Sequence, residues 1–152
     1  MSIQIIFTTS TGNTEHVVGV IRKHLEGQGV QVSTQLAEEA SAEDLLKGDI
    51  LILASGTWNT GGSEGQLHVR MDNFLRNTAK GIDLKGKRTA IISLGDERYY
   101  CTGRAAEHLI QFVKNHNGKL AGSPLIIIGD PEGQEGKIIK WSEGLVGTMQ
   151  TI

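Results

Sequence analysis

The 152-residue sequence predicts an α/β fold, a three-layer sandwich in which a five-stranded parallel sheet carries helices on both faces. Five short runs rich in Ile and Val alternate along the chain with five segments whose apolar residues have helical spacing. The runs are mostly continuous, which is typical of strands buried on both faces of a parallel sheet. Right-handed crossovers then favour the strand order 2-1-3-4-5. The length suits one domain over residues 1–152.

The five predicted strands are the short apolar runs themselves. They are Ile3–Phe7, Val30–Leu36, Ile50–Ala54, Thr89–Leu94 and Leu125–Ile128. Ligands of such sheets bind beyond the carboxyl ends of the strands, near the point where the strand order reverses. We therefore expect a binding site in the segments that follow Phe7, Ala54 and Leu94.

The predicted helices lie between these strands and place apolar residues three or four positions apart. They are Asn13–Gln28, Ser41–Lys47, Leu67–Asn77, Thr102–His116 and Glu135–Met149. Gly29 follows the first helix as a C-cap. Ser41 and Asp44 form a capping-box pattern at the start of the second. Trp141 lies in the last helix, where we interpret it as a packing residue.

Composition and charge exclude several classes of protein. Lys and Arg number 15 against 17 Asp and Glu, and the net charge of −2 gives no general attraction to nucleic acid or anionic membranes. The sequence has no signal-peptide pattern, no apolar run of about 18 residues, and a single cysteine, so we expect a cytoplasmic protein. The five histidines share no metal-ligand spacing, so no metal site is predicted. We interpret them as helix-surface residues: His16, His24, His68, His108 and His116.

The segment after Phe7 combines hydroxyl side chains with the start of a predicted helix. Free backbone N–H groups and the helix dipole favour an anion there, and the hydroxyls add uncharged donors. The segment has neither the Lys of a P-loop nor the Gly-x-Gly-x-x-Gly of dinucleotide-binding folds. A Ser/Thr-rich helix cap without a ligand is the alternative. The residues predicted to bind the phosphate of a mononucleotide are Thr9, Ser10, Thr11, Gly12, Asn13 and Thr14.

Aromatic residues follow the third and fourth predicted strands. Trp58 stands among Gly, Thr and Asn residues, and Tyr99 and Tyr100 come shortly after Asp96. Exposed aromatic rings in loops suit stacking on a flat ligand, and a Trp folded back onto its own helix is the alternative for Trp58. The candidate residues of these two segments are Gly56, Thr57, Trp58, Asn59, Thr60 and Gly61, and Leu94, Gly95, Asp96, Tyr99, Tyr100 and Cys101.

The order of these three segments resembles the flavodoxin family. Residues 5–14 match every position of the flavodoxin signature, from the aliphatic pair Ile5-Ile6 to the final Thr14, while Val18 replaces a later Ala. The Trp58 segment resembles the family's Thr-Trp-Asn/Gly-x-Gly loop, and residues 95–99 resemble its Gly-Asp-x-x-Tyr loop. The resemblance spans essentially the whole chain. The fifth strand lacks the interruption of long-chain flavodoxins, so the chain resembles the short-chain type.

This resemblance implies FMN as the cofactor, with its phosphate in the first segment. It implies that Trp58 covers the inner face of the flavin ring and that Tyr99 stacks on the outer face. Tyr100 is the alternative to Tyr99, because Tyr100 and Cys101 come earlier than in the family pattern. Backbone groups after the Tyr, including the N–H of Cys101, are implied to bind the pyrimidine edge of the ring.

The implied function is that of a low-potential carrier that moves one electron at a time on bound FMN between redox enzymes. Its partners are then a reductase as donor and an acceptor enzyme, docking near the flavin edge of a monomer, and no residue is assigned a catalytic role. The alternatives are a flavin enzyme such as an NAD(P)H:quinone reductase and a flavodoxin-like activator of a metalloenzyme. An aromatic sandwich leaves little room for nicotinamide or quinone over the ring, which favours the carrier.

Asn59 generates the first testable prediction. In the family, the peptide after the Trp flips on reduction so that its carbonyl accepts a hydrogen bond from flavin N5–H, and Gly is common there because the flipped backbone is strained. Asn tolerates positive φ less well than Gly, so we expect a neutral semiquinone that is less stable than in Gly-containing relatives. Asn59→Gly should raise the oxidised/semiquinone potential in a redox titration. An unchanged potential would contradict this account.

Overall fold

The computed structural model describes residues 1–58, 65–96 and 104–150. In this part of the chain the strands are β1 Ser2–Phe7, β2 Gln31–Leu36, β3 Ile50–Trp58, β4 Gln66–Leu67, β5 Arg88–Gly95, β6 Lys119–Leu120 and β7 Leu125–Ile128. The helices are α1 Asn13–Glu26, α2 Val69–Asn73, α3 Ala105–Asn115 and α4 Glu135–Gln150. Short 3₁₀ turns occupy Ala37–Glu39 and Ala42–Leu46, and a π-helical turn occupies Phe74–Thr78.

The sheet has the predicted parallel strand order, with two differences: the fifth strand is divided, and a short antiparallel strand is added. Strand β2 pairs with β1, β1 with β3, and β3 with β5, all in parallel. The predicted fifth strand is divided into β6 and β7, and both pair with β5. Pro124 precedes β7 and has no N–H to donate to a neighbouring strand, which favours a break in the ladder there. Strand β4 pairs antiparallel with the end of β3 and was not expected from the sequence.

Apolar layers cover both faces of the sheet, as the continuous Ile- and Val-rich runs predict. Ile50 and Ile52 of β3 contribute to one core with α1 and α4, while Leu51 and Leu53 contribute to the other with α2 and α3. Successive strand residues point to opposite faces, so only an uninterrupted apolar run can fill both layers. Each such fully buried side chain stabilises the fold by about 1.5–3 kcal/mol, so β3 is held firmly in the centre.

The predicted helices are confirmed at the start and end of the chain and change in the middle. The first ends at Glu26 rather than Gln28, so its C-cap is Gly27 and not the predicted Gly29. The fourth is observed over Ala105–Asn115, with Arg104 as its N-cap. The predicted helix Leu67–Asn77 is wrong at its start, because Leu67 belongs to β4.

The segment predicted as the helix Leu67–Asn77 also changes helix type after its first turns. Only Val69–Asn73 is α-helical, and a π-helical turn follows, in which the N–H of Ala79 donates to the carbonyl of Phe74 at 2.8 Å. This wider turn keeps Phe74, Leu75 and Ala79 buried against the sheet.

Two expectations about single residues have different outcomes. Trp141 packs partly buried against the core and donates from Nε1 to the carbonyl of Ser123 at 2.8 Å, which confirms a packing role. The placement of all five histidines on helix surfaces is wrong for His68, which is buried at the start of α2. Tertiary contacts with β3 and the first loop bury this imidazole, and the local sequence does not reveal them.

The capping box is confirmed, although it begins a 3₁₀ turn rather than an α-helix. The carboxylate of Asp44 accepts hydrogen bonds from the N–H of Ser41 at 2.8 Å and from Nε2 of Gln35 at 3.1 Å. Its other oxygen lies 2.6 Å from Nζ of Lys47. The ammonium of Lys47, followed by the N–H of Ser41, lowers the pKa of Asp44 to about 2.

This shift predicts a loss of stability in acid. A carboxyl whose pKa is lower in the folded than in the unfolded protein stabilises the fold at pH values above its unfolded pKa. For Asp44, this contribution to the free energy of unfolding is lost as the pH falls from 3.8 towards 2. We expect Asp44→Asn to cost about 1–2 kcal/mol at pH 7, the lower figure allowing for screening of the exposed Lys47, and almost nothing at pH 2. Urea unfolding at both pH values measures this. Glu43→Gln, at an exposed neighbouring position, is the control, and a pH-independent cost for Asp44→Asn would contradict the assignment.

Candidate functional site

A cavity of about 340 Å³ lies at the carboxyl ends of β1, β3 and β5, where the order of the sheet predicts a ligand. Its volume falls in the range of small-molecule sites, about 300–1,000 Å³. The predicted site residues that line it are Thr9, Ser10, Thr11, Asn13, Thr14, Gly56, Thr57, Trp58, Leu94, Gly95 and Asp96. Thr8, His68 and Gly129 line it too, although they were not among the predicted binding residues.

The remaining predicted site residues are one glycine of the first loop and six residues that the structure does not describe. Asn59, Thr60, Gly61, Tyr99, Tyr100 and Cys101 lie outside the described residues, so their roles stay predictions. Gly12, which is predicted to bind the phosphate, also shapes the loop. Its φ of 91° is left-handed, which favours glycine, and its N–H donates to Oγ1 of Thr9 at 3.0 Å.

The start of α1 forms one end of the cavity. No side chain in the described ranges caps this helix, so its first-turn N–H groups remain available at the positive end of the dipole. Thr8 adds a buried hydroxyl. Its Oγ1 is fully inaccessible and has no hydrogen-bond partner among the described residues. The free N–H groups at the helix start fit the oxygens of a phosphate.

The end of β3 forms a second wall of the cavity. Trp58 is 37% exposed, and its indole lies directly over Gly56, where a Cβ would come within 2.7 Å of Nε1. Oγ1 of Thr57 accepts a hydrogen bond from the N–H of Ala105 at 3.1 Å, so this side chain joins β3 to the start of α3. Thr57 therefore braces the wall, while Trp58 presents an aromatic surface suited to a flat ligand.

His68 is a site residue that sequence reasoning missed. Its N–H donates to Oγ of Ser55 at 3.2 Å, and its Nδ1 accepts the N–H of Arg70 at 3.1 Å. Its Nε2 lies 2.7 Å from Oγ of Ser10, and its ring makes an edge contact with Trp58, with centroids 5.5 Å apart. Only the fold brings together Ser10 and His68, which are 58 positions apart. The available signal was a polar residue immediately before a helix start, which is common and unspecific.

A positively charged side chain of α2 also lies beside the first loop. Nη1 of Arg70 donates to the carbonyl of Thr9 at 3.4 Å and lies 3.2 Å from the carboxylate of Glu38. Burial lowers the pKa of His68, the positive charge of Arg70 lowers it further, and the negative charge of Glu38 opposes both. The imidazole is therefore held in its neutral form. The loop contains no cation, as its sequence shows, but α2 places Arg70 beside it.

In the described ranges, no group of three or more His, Cys, Asp or Glu side chains is arranged to hold a metal ion. None of the helices there is both long and apolar enough to cross a bilayer.

The architecture and the cavity agree with a match to a known family. The family model described as flavodoxin matches residues 5–141. The chain belongs to the flavodoxin family. As a flavodoxin it binds FMN and is an electron carrier rather than an enzyme.

Individual relatives support this assignment. The flavodoxin of Maridesulfovibrio salexigens is 29% identical over 143 residues, which cover 93% of this chain and 94% of that protein. A flavodoxin of Klebsiella pneumoniae is 37% identical over 98 residues, but these cover 64% of this chain and only 52% of that longer relative. The crystal structure of oxidised flavodoxin 2 from Bacillus cereus superposes with a TM-score of 0.86 at 27% identity, over 97% of this chain and 99% of that one.

The contact between Gly56 and Trp58 generates a prediction for this flavodoxin. In Gly56→Ala the new Cβ displaces the indole, because it would lie 2.7 Å from Nε1, while the pairing of β3 is retained. An aromatic stacking contact is worth about 0.5–1.5 kcal/mol, so we expect FMN affinity to fall about 2- to 10-fold. Quenching of flavin fluorescence on titration of the apoprotein measures the affinity.

A second glycine provides the control for this substitution. A Cβ at Gly81 meets nothing within 4 Å, so Gly81→Ala should leave FMN affinity unchanged. Equal affinities for the Gly56 variant and the wild type would mean that the position of the indole does not matter for binding.

Proposed function

We propose that this flavodoxin carries one electron at a time on FMN between a reductase and an acceptor enzyme. The observation that carries the proposal is the cavity itself, which joins an uncapped helix start with hydroxyl side chains to an exposed tryptophan. These are the two chemistries that a phosphorylated flavin requires, anion binding and aromatic stacking. Residues 1–152 are proposed to act as a single FMN-binding domain.

The phosphate of FMN is proposed to bind the loop from Thr9 to Thr14. Support comes from the available N–H groups of the first turn of α1 and from the hydroxyl side chains of this loop, which line the cavity. Arg70 donates to the carbonyl of Thr9 in this loop, and its charge is balanced by the carboxylate of Glu38. Neutral donors can thus satisfy the phosphate oxygens at short range.

The flavin ring is proposed to lie against Trp58, with Tyr99 on its other face and Tyr100 as the alternative. The exposed indole beside Gly56 and the position of Leu94, Gly95 and Asp96 along the same cavity support this placement. The cofactor supplies the redox chemistry when bound, and the protein's part is to orient it and limit its contact with water.

The redox partners are proposed to dock near the exposed edge of the ring. Trp58 and Val69, at 37% and 58% exposure, place apolar surface on this side of the molecule. An exposed apolar patch with charged residues around it is typical of a transient docking surface. The flavodoxin is further proposed to act as a monomer in the cytoplasm. Sedimentation of the purified protein tests its oligomeric state.

Photoreduction of the purified protein tests the proposed function. A one-electron carrier should bind FMN, turn from yellow to the blue of a neutral semiquinone under light with a sacrificial donor, and then bleach. NADPH alone should leave it yellow until a separate flavodoxin reductase is added. Rapid bleaching by NADPH alone would indicate a flavin enzyme instead, and a colourless protein that takes up no FMN would contradict the proposal altogether.

A further inference from the structure

His68 is held beside the first loop by one backbone and two side-chain contacts. Its backbone N–H donates to Oγ of Ser55 on β3, and its Nδ1 accepts the N–H of Arg70 from the first turn of α2. Its Nε2 lies 2.7 Å from Oγ of Ser10, and only 4% of the residue is exposed. The ring therefore has little freedom to rotate or to exchange these partners for water.

These contacts determine which ring nitrogen carries the proton. Because Nδ1 accepts the N–H of Arg70, it has no proton of its own, so a neutral imidazole must carry its proton on Nε2. Nε2–H then donates to Oγ of Ser10. Burial and the charge of Arg70, which lower the pKa of His68, favour this neutral form.

The direction of that hydrogen bond decides what Ser10 presents to the cavity. A hydroxyl oxygen that accepts from Nε2–H keeps its own proton free to donate elsewhere. If the bond ran in the opposite direction, the proton of Ser10 would be used on the ring, and lone pairs would face an incoming anion. A phosphate offers only acceptors when fully ionised, so only the first arrangement attracts it.

We propose that His68 is a positioning residue for the FMN phosphate: its Nε2–H tautomer holds Ser10 so that the serine hydroxyl donates into the cavity. The inference rests on the phosphate placement given under Proposed function and extends it to a residue outside the loop. His68 also contacts Trp58 edge-on, so the same side chain links the phosphate loop to the stacking wall. Recognition of the phosphate thus depends on His68, the residue that caps the N-terminus of α2.

Two substitutions separate the two nitrogens of the ring. Asn is a favourable N-cap residue whose side-chain oxygen can accept the N–H of Arg70, but it is too short to reach Ser10. Gln is long enough to place an N–H donor near the position of Nε2. Apoproteins of His68→Asn, His68→Gln, Ser10→Ala and the double variant Ser10→Ala/His68→Asn are titrated with FMN and with riboflavin, which lacks the phosphate.

We expect His68→Asn and Ser10→Ala each to weaken FMN binding about tenfold, the effect of losing one hydrogen bond to a charged group, and to leave riboflavin binding within about twofold. His68→Gln should restore most of the FMN affinity. The double variant should be no weaker than either single variant, because both remove the same interaction. His116→Asn is the matched control, since His116 is also hydrogen-bonded but lies at the far end of α3, next to Lys80.

The outcomes distinguish this inference from the proposed phosphate site. If Ser10→Ala does not change the preference for FMN over riboflavin, the phosphate placement itself is wrong. If Ser10→Ala weakens FMN binding and His68→Asn does not, only the role of His68 is overturned. Equal losses of FMN and riboflavin affinity in His68→Asn would also overturn it, since they would indicate support of the Trp58 wall alone.

A measurement on the wild type does not depend on any variant folding. Long-range ¹H–¹⁵N correlation spectra of the full chain at pH 7 report the protonation of each ring nitrogen. The inference requires a neutral His68 with its proton on Nε2, both before and after FMN is added. A proton on Nδ1, or a charged imidazolium, would overturn it.

Discussion

Strand β3 crosses the centre of the sheet, hydrogen-bonded to β1 on one side and to β5 on the other. Its residues Ile50–Ala54 are fully buried, so the strand cannot shift without breaking two ladders and exposing apolar surface on both faces. The residues that follow carry this rigidity into the site. Ser55 holds His68, Gly56 makes room for Trp58, and Thr57 accepts the first N–H of α3.

The electrostatics of the cavity follow from the same scaffold. A helix start and several hydroxyls, one of them 2.7 Å from Nε2 of the neutral His68 imidazole, can offer hydrogen-bond donors to an anion without placing a net charge in the loop. The nearby cation, Arg70, is balanced by Glu38. Burial of a charged imidazole would cost free energy, so the site favours uncharged donors that are already oriented. Preorganised neutral donors avoid the loss of affinity that reorganisation would bring on binding.

The sequence predicts most of the fold because the pattern of buried residues is strong and local. The run of Ile and Leu at Ile50–Ala54 is continuous, which is typical of a strand buried on both faces, whereas Asn13–Glu26 places its apolar residues on one face of a helix. The first loop is predictable for the same reason, since Thr9–Thr14 lies where a strand ends and a helix begins. The split of the fifth strand was not predicted, although Pro124, which lacks an N–H, marks the break in the sequence. The π-helical turn at Phe74–Thr78 was not predictable, because it results from fitting side chains to the sheet.

The sequence by itself determined the layered fold, the edge of the sheet at which the cavity lies, and the flavodoxin-like order of the loop after Phe7 and the segment containing Trp58. These features depend on periodicity and on short motifs, which are properties of neighbouring residues. Only the tertiary structure decided that His68 is buried, that it meets Ser10 from a distant part of the chain, and that Gly56 lies beneath the indole. A hydrogen bond between residues so far apart depends on how α2 and β4 pack on β3, and no local pattern encodes that packing.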